Sequence, residues 1–156
     1  VTVNPNWIRW LYASVADHLH TACAAVSLPL VVDFLDERSD DWMASANKAE
    51  ASIAGPHFRQ TSPTGFFATF GIFVVISSHK QTGDNYVHLD KAGAVAQALD
   101  QCIIVKDYGT NPTPVEITKA KPVANGENSV THLRPSEIEN LVHSTIEVEF
   151  TAQFTQ

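Results

Sequence analysis

Phe66-Phe67-Ala68-Thr69-Phe70-Gly71-Ile72-Phe73-Val74-Val75-Ile76 is the stretch on which the fold turns. Every second residue (Phe66, Ala68, Phe70, Ile72, Val74, Ile76) is apolar and the set between them (Phe67, Thr69, Gly71, Phe73, Val75) is mixed, as in a central strand with one fully buried face. At about 3.3 Å per residue the run reaches roughly 36 Å, enough to cross a small domain. Upstream, Ala49, Ala51 and Ile53 alternate with Lys48, Glu50 and Ser52, and a polar connection carrying Pro56, Pro63 and Gly65 leads into the long run. The pattern predicts a β-hairpin with an extended tip, its first strand stopping at Gly55-Pro56.

A chain of 156 residues with 44% hydrophobic side chains is expected to form one domain, residues 1–156, with a real core. Its formal charge of −7 repels a phosphate backbone, and no basic patch reverses the field. Lys119 and Lys121, the nearest basic pair, are read as solvated charges in a Pro-containing loop. Cys23 and Cys102 stand in apolar surroundings outside any CxxC pair, and are expected to be small buried hydrophobes in a reducing compartment. No apolar run approaches the roughly 18 residues that span a membrane, and no signal-peptide pattern opens the sequence. Manufacture in the cytosol is the expectation.

Along the chain, Asn4 is expected to cap a helix with Pro5 at its first position, followed by the stripe Ile8, Leu11, Val15, Leu19, Ala22 and Val26. Trp7 and Trp10 flank that stripe, as core or as anchors for a neighbouring subunit, with core favoured. Ser27 and Pro29 end the helix. Leu30–Leu35 reads as a short strand, and an irregular connection follows to the hairpin. After the turn residues Gly83-Asp84-Asn85, a second helix carries Leu89, Ala92, Val95, Ala96, Leu99 and Cys102. A strand at Ile103–Val105 precedes a long loop from Asp107 to Val130 with a short hairpin near Val115–Ile117. Ile138, Leu141 and Val142 form a candidate helical turn beside Pro135. Ile146, Val148, Phe150 and Ala152 then alternate with Glu147, Glu149, Thr151 and Gln153, a closing strand whose second face meets water or a partner. The sum is an α+β fold: a mainly antiparallel β-sheet with a long β-hairpin, covered on one face by two α-helices.

Chemistry-bearing clusters are weak. Of seven histidines, His18 and His20 come nearest to a motif, but residues two apart on a helix point about 200° from one another. His57, His79, His88, His132 and His143 are isolated and read as surface or loop residues. Ser62 with His57, and Asp84 with His88, are possible local pairs for an enzyme, without an elbow or phosphate loop around them. The acidic run Asp33, Asp36, Glu37, Asp40, Asp41 lacks the glycine of a calcium loop and reads as a solvated face. No catalytic residue, cofactor or metal is assigned.

The order of a long N-terminal helix, Leu28-Pro29-Leu30, Trp42, Ile53-Ala54-Gly55-Pro56, a Ser-Pro-Thr-Gly tip at 62–65 and the strand from Phe66 resembles the tail terminator (tail completion) proteins of tailed bacteriophages. A helix from Leu89, Leu133-Arg134-Pro135 and a closing strand through Phe150 extend the resemblance over nearly the whole chain. It implies a virion structural protein of the tail or neck, assembled in the host cytoplasm. Such a protein forms a ring, usually of six subunits, that ends tail-tube polymerisation and meets the head–tail connector. Its implied partners are its own copies, the tail tube protein and the connector; DNA passes through without specific binding, and no membrane is involved. A heterologous ring needs two different adhesive surfaces, and the second face of the long strand supplies one. His57, Phe58, Arg59, Phe67, Phe73, Val75, Trp7 and Trp10 are the candidate interface residues. Two alternatives stand beside this: a head-completion or connector protein of the same virion, and a small cytosolic α+β enzyme or ligand-binding domain with a pocket under the second helix.

Overall fold

Strict alternation makes the segment from Gly65 a strand, and tertiary pairing extends it to His79. In this computed structural model, which describes residues 2–80, 85–109, 112–123 and 130–156, that strand is β3. The chain runs α1 (Trp7–Ala25), β1 (Leu30–Val32), α2 (Asp40–Ala44), β2 (Asn47–Gln60), β3 (Gly65–His79), α3 (Tyr86–Leu99), β4 (Ile103–Asp107), β5 (Val115–Pro122), β6 (Val130–Ile138) and β7 (Leu141–Thr155). The sheet order is β1-β2-β3-β7-β5-β4, and β6 also pairs with β7. Among the described residues only the short β1–β2 pair is parallel.

β3 is central and β7 lies along its whole length, from Gly65 opposite Thr155 to His79 opposite Leu141. The apolar set of β3 and the inward set of β7 (Ile146, Val148, Phe150, Ala152, Phe154) share one core with α1 and α3. Two helices therefore cover one sheet face, the expected α+β arrangement. Phe70 and Phe150 stack at 5.4 Å, and Trp7 packs on Phe66 and Phe154 at 5.6 and 4.9 Å. No helix among the described residues is long and apolar enough to cross a membrane.

Several boundaries differ from expectation. Asn4 Oδ1 accepts from Asn6 N at 2.9 Å, so Asn4-Pro5 forms a turn and the helix starts at Trp7. Its inward face is Trp7, Trp10, Leu11, Ser14, Val15, Leu19 and Cys23, which leaves Ile8 exposed. β1 stops at Val32, and one turn of helix capped by Ser39 replaces the irregular connection. β2 runs through Gly55-Pro56, so the hairpin tip is only Thr61–Thr64. β5 is a full strand that carries Lys119 and Lys121, and the proposed helical turn is the end of the β6–β7 hairpin. Cys102 is exposed, while buried Cys23 has its thiol pKa pushed up to about 11 by desolvation. The expected turn residues Gly83 and Asp84 lie outside the described residues, as do parts of the 107–130 segment.

Ser27 closes α1 in the left-handed region, at φ 54°. Ser27 N donates to Ala24 O and Leu28 N to Cys23 O, a Schellman motif with serine where glycine is usual. Ser27→Gly is expected to stabilise the fold by about 0.5–1 kcal/mol, strain relief exceeding the backbone entropy that glycine adds. Urea midpoints of the two proteins check this; an unchanged or lower midpoint contradicts it.

Candidate functional site: the uncovered sheet face

The face of β2, β3 and β7 turned away from the helices has no layer over it among the described residues. Its central feature is a bulge. Ala54 pairs with Gly71 and His57 with Thr69, so β2 spends three steps where β3 spends two. The extra residue reverses the alternation. Before it Ala49, Ala51 and Ile53 point inward; after it Phe58 points inward and His57 and Arg59 point out. Gly55 has φ 97°, and a Cβ there would lie 3.2 Å from Thr69 O, so both conformation and space call for glycine. The Gly55–Pro56 bond is cis. Tyr12 of α1 donates its hydroxyl to Gly55 O at 2.8 Å and holds the bulge from the helix side.

Beside the bulge lies a trough of about 700 Å³, lined by His57, Thr69, Gly71, Phe73, Glu147 and Glu149 among others. Phe73 lies over Gly71, where an added Cβ would meet its ring at 3.3 Å. Register sets Glu147 opposite Phe73 and Glu149 opposite Gly71. Neither carboxylate has an ion-pair partner among the described residues. Phe73 and Val75 are 37% and 38% exposed, and the Arg59 guanidinium sits 5.6 Å from the centre of the Phe67 ring.

No protein-family model and no curated protein matches the chain. One solved chain whose name describes no function superposes with a TM-score of 0.55 at 12% identity, over 95% of this chain and 96% of its own. The likeness is one of fold.

Of the eight candidate interface residues, His57, Arg59, Phe67, Phe73 and Val75 gather on the uncovered face. The other three are corrected. Trp7 and Trp10 are only 3% and 8% exposed and belong to the core, and Phe58 packs inward on Trp7 and Phe154. The rings of Trp7 and Trp10 are taken up by the core, and Phe58, partly buried, turns its ring toward that core and away from the outer face. Glu147 and Glu149 were legible only as outward members of the closing strand; their place in the trough depends on β6, β3 and the bulge.

The histidines separate. His18 Nε2 donates to Ala98 O at 2.8 Å, joining α1 to α3, and His20 Nε2 donates to Asp36 Oδ2 at 2.7 Å, joining α1 to the turn after β1. His57 stands three residues before Gln60, while Ser62 sits in the hairpin tip with its Oγ facing Thr64 N. At about 3.3 Å per residue that places them far beyond proton-transfer reach. Asp84, expected beside His88, lies outside the described residues. Among the described residues no group of three or more His, Cys, Asp or Glu is arranged to hold a metal.

His88, expected at the surface, is instead 3% exposed. Its Nδ1 lies 2.8 Å from Ser78 Oγ and its Nε2 2.7 Å from Ser144 Oγ, so one imidazole ties α3 to β3 and β7. A neutral ring gives to one hydroxyl and accepts from the other. Desolvation, with the nearby charges of His132 and His143 adding to it, holds its pKa below the ordinary 6.5. The unfolded chain therefore takes up this proton first as pH falls. This contribution to stability is complete above about pH 6.5 and declines as pH drops from there through the lower folded value. Urea midpoints from pH 7.5 to 5.5 are expected to fall more steeply in the wild type than in His88→Asn; equal slopes contradict the assignment.

Proposed function

We propose that this chain is a virion structural protein of a tailed phage. In this reading copies close into a ring, six in number, at the head-proximal end of the tail tube, end tube growth and present a docking surface to the head connector. The observation that carries the reading is the outer β2–β3–β7 face, where Phe73 lines an acidic trough and Val75 follows it along β3, the two 37% and 38% exposed. The exposed parts of Phe73 and Val75 add nothing to the fold of a protein whose core lies on the other side of the sheet. Burial against a second copy gives them a role. The net charge of −7 is compatible with a ring through which DNA slides without sticking. Assembly in the host cytoplasm and residence in the virion neck belong to the same proposal.

The test is tube capping. Added to polymerising tail tube protein, the chain is expected to shorten the tubes and to appear as a ring at one end in electron micrographs. Tubes of unchanged length, with the chain left in the unbound fraction, would overturn the reading. A connector protein of the same virion would instead bind portal-proximal parts and leave tube length alone. The ligand-binding or enzymatic alternative draws on the trough too, since His57 shares its lining with Glu147 and Glu149. It requires that His57→Ala abolish binding of a small cationic ligand while the fold stays intact.

A further inference from the structure

A second hollow, of about 780 Å³, lies between the first half of α1 and the turn after β1, and is lined by Ile8, Arg9, Tyr12, Phe34, Leu35 and Ile53 among others. Phe34 is its odd member. It is 91% exposed and sits at φ 74°. A bulky side chain in that region is strained, and asparagine or glycine would relieve the turn. The turn itself is firmly held: Leu35 N and Asp36 N both donate to Val32 O, and Val32 N donates to Asp36 Oδ2 at 2.8 Å. The monomer thus presents a phenyl ring to water on a rigid mount, at a conformational cost, with Ile8 and Leu35 also exposed beside it.

Charge distinguishes this hollow from the trough. Arg9 has no ion-pair partner among the described residues, and Asp33, the acidic member of the hollow, is engaged by Arg38 at 3.3 Å. In the trough the unpaired charges are Glu147 and Glu149. Either surface meeting its own copy sets like charges together, whereas the hollow of one copy meeting the trough of another sets Arg9 against two carboxylates. Two unlike surfaces on one chain produce a head-to-tail contact, which closes into a ring when the rotation permits.

We propose that the Phe34 hollow of one copy docks onto the β2–β3–β7 trough of the next, with Phe34 against Phe73 and Val75 and Arg9 facing Glu147 and Glu149. This rests on the ring reading above and supplies its contact. The test mixes two full-length variants, Phe34→Asn, which removes the projecting ring and suits the left-handed turn, and Phe73→Asp, which spoils the trough. Each alone is expected to be a folded monomer by circular dichroism and sedimentation. Mixed in equal amounts they retain one good hollow and one good trough, so a heterodimer near 34 kDa, two chains of 17.0 kDa, is expected and nothing larger. Arg9→Glu is expected to weaken association about tenfold, and adding Glu147→Arg in the same chain to recover most of it. A wild type that forms rings while both variants still do so, or a mixture that stays monomeric, overturns this pairing and leaves the ring reading standing. A wild type that never associates, with tail-tube ends present as well as without them, overturns the ring reading itself.

Discussion

Phe73→Asp is expected to abolish self-association while leaving a folded monomer, destabilised by about 2–3 kcal/mol. The reason lies in which face the residue occupies. Its neighbours on β3, Ile72 and Val74, are fully buried beneath the helices, whereas Phe73 points to the uncovered side, opposite Ser52 on β2 and Glu147 on β7. A carboxylate there still reaches water in the monomer, which loses the covered part of the ring and gains a like charge opposite Glu147. In a ring it would be desolvated close to Glu147, where like charges repel. Sedimentation separates the two outcomes, and Ile72→Asp serves as the contrast, since a charge in the core unfolds the chain. Retained assembly by Phe73→Asp would show that the trough is not a contact surface.

His88→Ala is expected to destabilise the fold by about 3–5 kcal/mol, without reference to assembly. The substitution opens a void under the first turn of α3. It also strips Ser78 Oγ and Ser144 Oγ, on buried residues, of the ring nitrogens 2.8 and 2.7 Å away. An unmade buried hydrogen bond is more damaging than the same bond is favourable, so removing all three polar groups is gentler than removing one. The combination His88→Leu, Ser78→Ala and Ser144→Ala is therefore expected to recover most of the loss. Urea denaturation measures both, and a loss below about 1 kcal/mol for His88→Ala would show that the serines find other partners.

The long strands were legible because burial on one face forces a period of two that nothing else imitates. β3 and β7 carry it without a break. β6 carries none, since most of its residues are exposed on both sides. In the fold Pro135 falls in the register break between Leu133 and Ser136, where its missing N–H removes no ladder bond. The stripe expected for α1 has the right phase through Leu11, Val15 and Leu19, but it begins on Ile8, which is exposed, where Trp7 is the first inward residue. α3 hid its buried histidine in a similar way: position 88 lies on the stripe 88-92-95-99, but its partners Ser78 and Ser144 are distant in sequence and only pairing brings them there.

The site was half visible. Phe67, Phe73 and Val75 follow directly from alternation, and so does the outward set of β7. What sequence spacing could not show is the bulge at Gly55, which reverses the faces of everything after it in β2 and so moves Phe58 into the core and His57 into the trough. Phe34 escaped notice for a different reason. A run of apolar residues from Leu30 reads as continuous strand, and only the backbone turn at Phe34 reveals a side chain directed into water.

The mass of the unaltered chain in solution, followed by sedimentation equilibrium over a dilution series and then with tail-tube ends added, is the shortest route to a decision. A single closed species near 100 kDa, six copies of 17.0 kDa, with the tube ends present if not before, is the predicted result. A mass of 17.0 kDa under every condition, with no chain bound at the tube ends, would contradict the claim that the uncovered sheet face exists to meet another copy.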